Sequence, residues 1–357
     1  MRYLILLGGV AAAIAAYTVY WFTLAGQFED GVNRWMDAAS RQGMSIRHED
    51  MSVVGYPFRL VADIRGLDWT VPARGGSLRW QAERLRLVAE PWRKGHVILL
   101  FTGTERLIRT AGGQTQEYII NAGNARASLV TRQAGAARFA FAADDLQILA
   151  SRTGQHLGIE KAQLYLRDIP PAPAKAPAAG EEADSDPSLP PTAQLDFMIS
   201  GATLPEGVGG NLGRRIDDLQ GQLVVNGRVT GLGAQQLRDW AGQGGTMDVG
   251  GLKANWGSLV MEAAGTLTLD EDNRPLGAFE SRFKGIEGIL GAIQNLGSPR
   301  PDAMRLARST LDAMAEGRKG EWVTVPFTLQ NGFLYMGSIP LATLSPVRED
   351  VQPKAAE

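Results

Sequence analysis

The sequence of 357 residues contains no cysteine, which excludes disulfides, thiolate metal ligands and a cysteine nucleophile. Histidine is nearly as scarce. His48, His96 and His156 lie far apart in the chain and leave little material for imidazole catalysis or a histidine metal centre. No sign of charge dominates, the formal net charge being −2, and this argues against a dedicated nucleic-acid binder. A G-x-S-x-G elbow, a Walker A loop, an H-E-x-x-H helix and an EF-hand loop are all missing. The glycine-rich run at 207–213 lacks G-x-G-x-x-G spacing and reads as a turn. Asp270-Glu271-Asp272-Asn273, placed before Arg274-Pro275, reads as a hairpin loop. No catalytic residue, cofactor or metal site is expected, so binding is favoured over catalysis.

What the chain does have is one long uncharged run. Residues 3–28 carry no ionisable charge, and at about 1.5 Å per residue a helix of that length exceeds a hydrocarbon core of about 30 Å. Leu4, Leu7, Val10 and Ile14 belong to its apolar body, while Tyr17, Tyr20, Trp21 and Phe22 gather towards its end, where amphipathic rings favour the interface. Small residues at 11–16 resemble a signal-peptide cleavage region, but the apolar run continues past them, and an uncleaved anchor is the expectation. Arg2 precedes the span and Glu29-Asp30 follow it, so the positive-inside rule predicts a cytoplasmic N-terminus and a periplasmic body in the inner membrane. Beyond it, Phe28, Val32, Trp35, Met36 and Ala39 recur at helical spacing, which predicts a helix continuing to about Arg41 and stopped by Gly43.

After Gly43 the dominant period is two. Phe58, Leu60, Ala62 and Ile64 alternate with Arg59, Val61, Asp63 and Arg65, and similar patterns include Phe139, Phe141, Leu146 and Ile148. One-faced strands of this kind predict antiparallel sheet. The apolar set moves from Leu78/Trp80/Ala82 to Leu85/Leu87/Ala89, which predicts a β-bulge near Glu83-Arg84. Residues 169–193 hold seven prolines and few large apolar side chains, the composition of a linker or loop. The expected organisation is a signal anchor at 1–28, a juxtamembrane helix and β half at 29–168, this linker, a second β half at 194–346, and a disordered tail at 347–357. Short helices are expected at 233–242, with Leu237 and Trp240 on one face, at 286–296, ended by Gly297 and Pro299, and at 301–316, with Met304, Ala307, Leu311 and Met314 buried. Strands at 322–329 and 333–336 flank Asn331-Gly332, a strong hairpin signal. The fold class is thus mainly β (α+β): a transmembrane helix, large antiparallel curved sheet or sheets, and a few short helices in the C-terminal half.

Tyr20-Trp21-Phe22, Gly55-Tyr56-Pro57-Phe58-Arg59, and Trp322-Val323-Thr324-Val325-Pro326-Phe327 leading to Asn331-Gly332 and Gly337 together carry a resemblance. The chain resembles a Gram-negative bacterial family of unknown function whose members have one N-terminal membrane anchor. The likeness covers nearly the whole chain and supplies no catalytic residues; Ser338 departs from it where proline is the more typical residue. In architecture the chain is more distantly similar to AsmA-like envelope proteins, a likeness that implies a long sheet with an apolar inner surface engaged in lipid handling. The functional expectation is an anchored periplasmic protein that binds or guides a lipid or other envelope amphiphile. Phe58, Leu60, Trp69, Trp80, Phe139 and Phe141 would line the groove, or pack a closed core. The alternative is a structural or assembly protein that contacts other envelope proteins and takes no ligand.

Overall fold

The computed structural model describes residues 2–73, 75–93, 95–131, 137–169, 189–231, 233–295, 301–315 and 321–347. It contains two compact units, Met1–Gln155 and His156–Glu357, both built mainly of antiparallel sheet.

The N-terminal unit begins with one unbroken helix, α1 (Arg2–Arg41), about 60 Å long at 1.5 Å per residue. It ends as predicted: the N–H groups of Gln42 and Gly43 turn back to the carbonyls of Ala39 and Ser40. Eight strands follow, β1 (Ser45–Arg47), β2 (Asp50–Val54), β3 (Leu60–Ala73), β4 (Gly76–Ala89), β5 (His96–Ala111), β6 (Gln114–Asn121), β7 (Asn124–Thr131) and β8 (Ala137–Ala150). β3, β4 and β5 are the long central strands. β1 and β2 share one lane beside β3, at Ile46↔Trp69 and Met51↔Ile64 respectively. β6 and β7 likewise divide the free edge of β5, and β8 pairs with both.

A kink crosses the middle of this sheet. In β3 the inward apolar set changes from Leu60, Ala62 and Ile64 to Leu67 and Trp69, and in β4 from Leu85 and Leu87 to Ala82 and Trp80. The β4–β5 register shifts between Ala82↔Glu105 and Arg84↔Thr102, so the irregularity lies where the alternation of β4 placed it. The extra residue, however, belongs to β5, at Gly103-Thr104. Gly103 has φ +88°, and a Cβ there would lie 2.1 Å from Glu83 Oε2. Only glycine accepts both that backbone and the overlying carboxylate. On the other face, Arg84 donates to both oxygens of buried Asp63 at 2.7 and 2.6 Å.

Half of α1 is covered by this sheet and half is bare. From Tyr3 to Tyr20 nearly every side chain is exposed, whereas Trp21 is 2% exposed and Ala25, Val32, Met36 and Ala39 are buried. With the partly buried Phe28 these recur at intervals of three and four, one face of a helix. Trp21, Ala25, Val32 and Met36 pack on Leu60, Ala62, Ile64 and Leu67 of β3 and Ala82 and Leu85 of β4. Two expectations change. Trp21, counted with the membrane anchor, is the first residue of the docking face, and Trp35 is 52% exposed, resting edge-on against Trp69 at 5.6 Å.

The C-terminal unit runs β9 (His156–Asp168), β10 (Pro191–Thr203), β11 (Arg215–Asn226), β12 (Thr246–Trp256), β13 (Leu259–Leu269), β14 (Pro275–Lys284), β15 (Val323–Gln330), β16 (Phe333–Met336) and β17 (Ile339–Thr343). Each strand pairs antiparallel with the next. The sequence patterns missed β1, β5, β6, β12 and β17. Of the two readings of the proline-rich segment, linker or loop, the strand pairing favours the loop. β9 and β10 pair on either side of the proline-rich segment, with Leu195 opposite Leu166, so that segment joins neighbouring strands of one unit and the boundary falls at Gln155/His156. An insertion of this composition can enlarge any hairpin, because loop-closure entropy grows only logarithmically with length. Residues 170–188 themselves, the helix end at 296–300 and the tail at 348–357 lie outside the described residues.

Three helices serve this second sheet. α2 (Ala234–Gly242) buries Trp240, whose indole donates to the Asn226 carbonyl at 2.9 Å. α3 (Ile286–Asn295) and α4 (Pro301–Ala315) bring Ile289, Leu290, Ile293, Ala307 and Leu311 onto Phe283, Val325, Met336 and Leu341. Met314, expected in that core, is 38% exposed. The predicted hairpin closes at Asn331-Gly332, both with positive φ. The acidic hairpin loop has a second role: Asn273 is 2% exposed, and its Nδ2 donates to the carbonyls of Ala234 and Val347 at 3.0 and 3.4 Å.

Asn273→Ala should therefore lower the unfolding free energy by about 1–3 kcal/mol, since two carbonyls lose a buried donor; urea titration followed by circular dichroism reads it. Asp63→Asn should lose about 1–2 kcal/mol at pH 7. The guanidinium of Arg84 holds the Asp63 carboxyl below its usual range against the opposing effect of burial. That stability is present above the unfolded-state pKa of about 4 and disappears as pH falls through the lowered value. Thermal melts of wild type and variant should thus converge in acid.

Candidate functional site

The inner face of the N-terminal sheet is wider than α1. Past the helix, Leu85 of β4 stands opposite Phe101 of β5, Phe101 opposite Ala125 of β7, and Ala125 opposite Ala143 of β8. Period-two alternation carries the same face to Leu99, Ala127 and Leu129, and on β8 to Phe141 and Phe139. Aromatic rings connect the covered and open parts: Trp35 to Trp69 at 5.6 Å, Trp69 to Trp80 at 6.2 Å, Trp80 to Phe101 at 6.2 Å. No other element of the described N-terminal unit packs over the β5–β8 side, and Phe101, Phe139 and Phe141 remain half-buried there.

A cavity of about 210 Å³ opens in this face, lined by Phe101, Gly103, Glu105, Ile120, Ala122, Ala125, Phe141 and Leu146. Glu105 is its single ionisable lining residue. The Trp80 indole donates to Glu105 Oε2 at 2.8 Å. Burial pushes the Glu105 carboxyl above its usual range, and the indole hydrogen bond opposes this in part. The cavity is smaller than the 300–1,000 Å³ typical of a pocket that swallows a whole ligand. Its dimensions and lining suit a segment of hydrocarbon chain, with one acceptor for a hydroxyl or cationic group. A larger recess of about 510 Å³ lies around Arg47, His48, Glu49, Asp68, Arg79, Glu83 and Arg106. That lining is polar, and Asp68 already receives the Arg79 guanidinium. Among the described residues no group of three or more His, Asp or Glu is placed to hold a metal.

The six groove residues named from the sequence separate into three sets. Trp69, Trp80, Phe139 and Phe141 share the inner face. Leu60 shares it too but is sealed beneath α1 with Trp21. Phe58 does not: β3 begins at Leu60, and Phe58 projects from the preceding turn at 70% exposure. That turn, Gly55 to Arg59, contains a cis Tyr56–Pro57 peptide, and the Arg59 N–H closes it on the Gly55 carbonyl at 3.0 Å. A Cβ on Gly55 (φ +108°) would lie 2.7 Å from the Arg59 carbonyl oxygen, so the turn requires glycine. The turn meets α1 directly. Tyr17 OH donates to the Pro57 carbonyl at 2.5 Å, the Trp21 indole to the Arg59 carbonyl at 3.2 Å, and the Tyr56 ring stacks on Phe22 at 6.0 Å. Sequence reasoning missed Glu105, although it occupies the same odd-numbered set of β5 as Leu99, Phe101 and Leu107.

A comparison with protein-family models matches residues 21–345 to a family described as "Uncharacterized protein conserved in bacteria (DUF2125)". The chain belongs to this family. The DUF2125 match begins at Trp21, the first residue of α1 that the sheet buries, and extends through both units. A comparison with curated proteins returns no match. α1 is the one described helix long and apolar enough to cross a membrane.

Because the folded chain binds the Glu105 proton more tightly than the unfolded chain, its stability falls as pH rises above about 4.3, the unfolded-state value. Glu105→Gln removes that penalty. Its melting temperature in detergent should exceed that of wild type at pH 7.5, and the two should meet near pH 4. A variant less stable at both pH values would show that the carboxylate itself is needed for packing.

Proposed function

We propose that the chain is a single-pass protein of the bacterial inner membrane, N-terminus cytoplasmic and body periplasmic, that binds or guides a lipid or other envelope amphiphile. The reading takes it as a binding protein and assigns it no catalytic step. The observation that carries it is the uncovered half of the inner face. A sheet whose apolar side is closed by α1 over β2–β4 leaves Phe101 and Phe141 lining an apolar cavity over β5–β8, with Phe139 half-buried further along the same face. An exposed apolar surface of this kind marks a binding site more often than idle surface. The orientation follows from Arg2 before the span and Glu29-Asp30 after it. Glu105 supplies the polar end of the site, and the aromatic row from Trp69 to Phe101 supplies a wall along which a chain could lie.

The test uses the full chain in membranes that contain a lipid with a photoreactive diazirine in its acyl chain. Irradiation should attach lipid to peptides of β5 and β8. Phe141→Asp should weaken attachment about 10–100-fold, the effect of removing roughly 1.5–3 kcal/mol of apolar contact, with the melting temperature little changed. Attachment confined to α1, and unaffected by Phe141→Asp, would overturn the reading.

A further inference from the structure

The two most exposed large apolar side chains of the N-terminal sheet are Phe58, 70% exposed, and Trp92, 65% exposed. They stand at the same end of that sheet. Phe58 lies in the turn before β3, and Trp92 lies in the turn after β4, where the Arg93 N–H closes on the Glu90 carbonyl at 3.1 Å. Leu60, the first residue of β3, pairs with Ala89, the last of β4, so the turns are neighbours. Leu60 clusters with Trp21 and Ala25 of α1, and Ala89 packs against that cluster. This end of the sheet is therefore level with the point where the bare part of the helix ends.

From Tyr3 to Phe22 the helix rises about 30 Å, the thickness of a hydrocarbon core. Tyr20 and Phe22 thus fall at its boundary, Tyr17 lies little more than a turn inside it, and Tyr56 stacks on Phe22 there. Phe58 and Trp92 extend the same aromatic band sideways from the helix, accompanied by Arg59 and Arg93. Apolar rings beside arginines suit a bilayer interface, where rings enter the headgroup layer and guanidinium groups meet phosphates.

We infer that this rim is a second membrane contact, in which Phe58 and Trp92 insert into the interfacial layer of the bilayer that holds α1. The inference rests on the anchor proposed above and goes beyond it. A helix alone would leave the unit free to stand off the surface. With both turns inserted, the unit is fixed against the bilayer, and the inner face starts at the lipid: Leu129 and Phe139, at the ends of β7 and β8 on this side, become its lowest rungs.

Because the chain has no cysteine, single cysteines can be labelled cleanly. The full chain carrying Phe58→Cys, Trp92→Cys, Val10→Cys or Arg152→Cys is coupled to an environment-sensitive fluorophore. It is then reconstituted into vesicles of phosphatidylethanolamine and phosphatidylglycerol, with or without lipids spin-labelled at shallow or deep positions. Arg152, in the turn at the opposite end of the sheet, reports water. The expected result is blue-shifted emission at 58 and 92, quenched by the shallow spin label, with 10 quenched by the deep one. Water-like emission at 58 and 92 with 10 buried would overturn this inference and leave the anchor standing. Water-like emission at all four positions would overturn both.

Discussion

The docking of α1 onto its own sheet is the contact on which the N-terminal unit depends. One helix has two characters. Its first half presents apolar side chains on all sides, and its second half presents a single buried stripe beginning at Trp21. The change of character coincides with the Gly55–Arg59 turn, which receives hydrogen bonds from Tyr17 and Trp21 and a ring stack from Phe22. A continuous helix has no joint at that point, so whatever direction the apolar half takes is passed to the sheet through these contacts. This gives a physical role to a short motif that in the sequence marks only a family resemblance.

The open apolar face follows from the same arrangement. α1 covers the lanes nearest β3, and the kink at Gly103 and Glu83 keeps the apolar sides of β3, β4 and β5 facing inward along their full length. Without that irregularity, strict alternation would turn one end of β4 outward and break the row Trp69, Trp80 and Phe101. The kink also leaves room for the cavity, and Gly103 is part of its lining. Glu105 is tolerated at its floor because Trp80 satisfies one carboxylate oxygen.

The C-terminal unit solves the same problem in a different way. Its sheet is closed over β13–β17 by α3 and α4, and Ile289, Ile293, Leu311 and Leu341 are fully buried. Asn273 fastens α2 and the chain near Val347 to one hairpin loop. The acidic look of that loop in the sequence therefore conceals a structural amide. Asp270 is likewise occupied internally, accepting the Arg274 N–H at 2.8 Å and its guanidinium at 2.9 Å.

Much of this was legible in one dimension. Uncharged length located the membrane-competent helix. Alternation located most strands, and the slipped alternation in β4 located the kink, because side-chain period is a local property of the backbone. Asn-Gly located the last hairpin for the same reason. Other features were not local. Composition showed that residues 169–193 lack a core but could not show that the strands on either side pair with each other. A helical stripe starting at Trp21 looks the same whether lipid or protein covers it, and only the partner surface distinguishes the two. Glu105 looked like any charged residue until the fold placed it in an apolar wall. Phe58 had the period of an inward strand residue, yet the turn closed by Gly55 points it outward. The sequence by itself determined most of the elements, the anchor-competent segment and the poverty of catalytic groups, because these depend on residue type and spacing. Tertiary structure decided which apolar faces are covered and which stay open, because coverage depends on pairs of residues far apart in the chain.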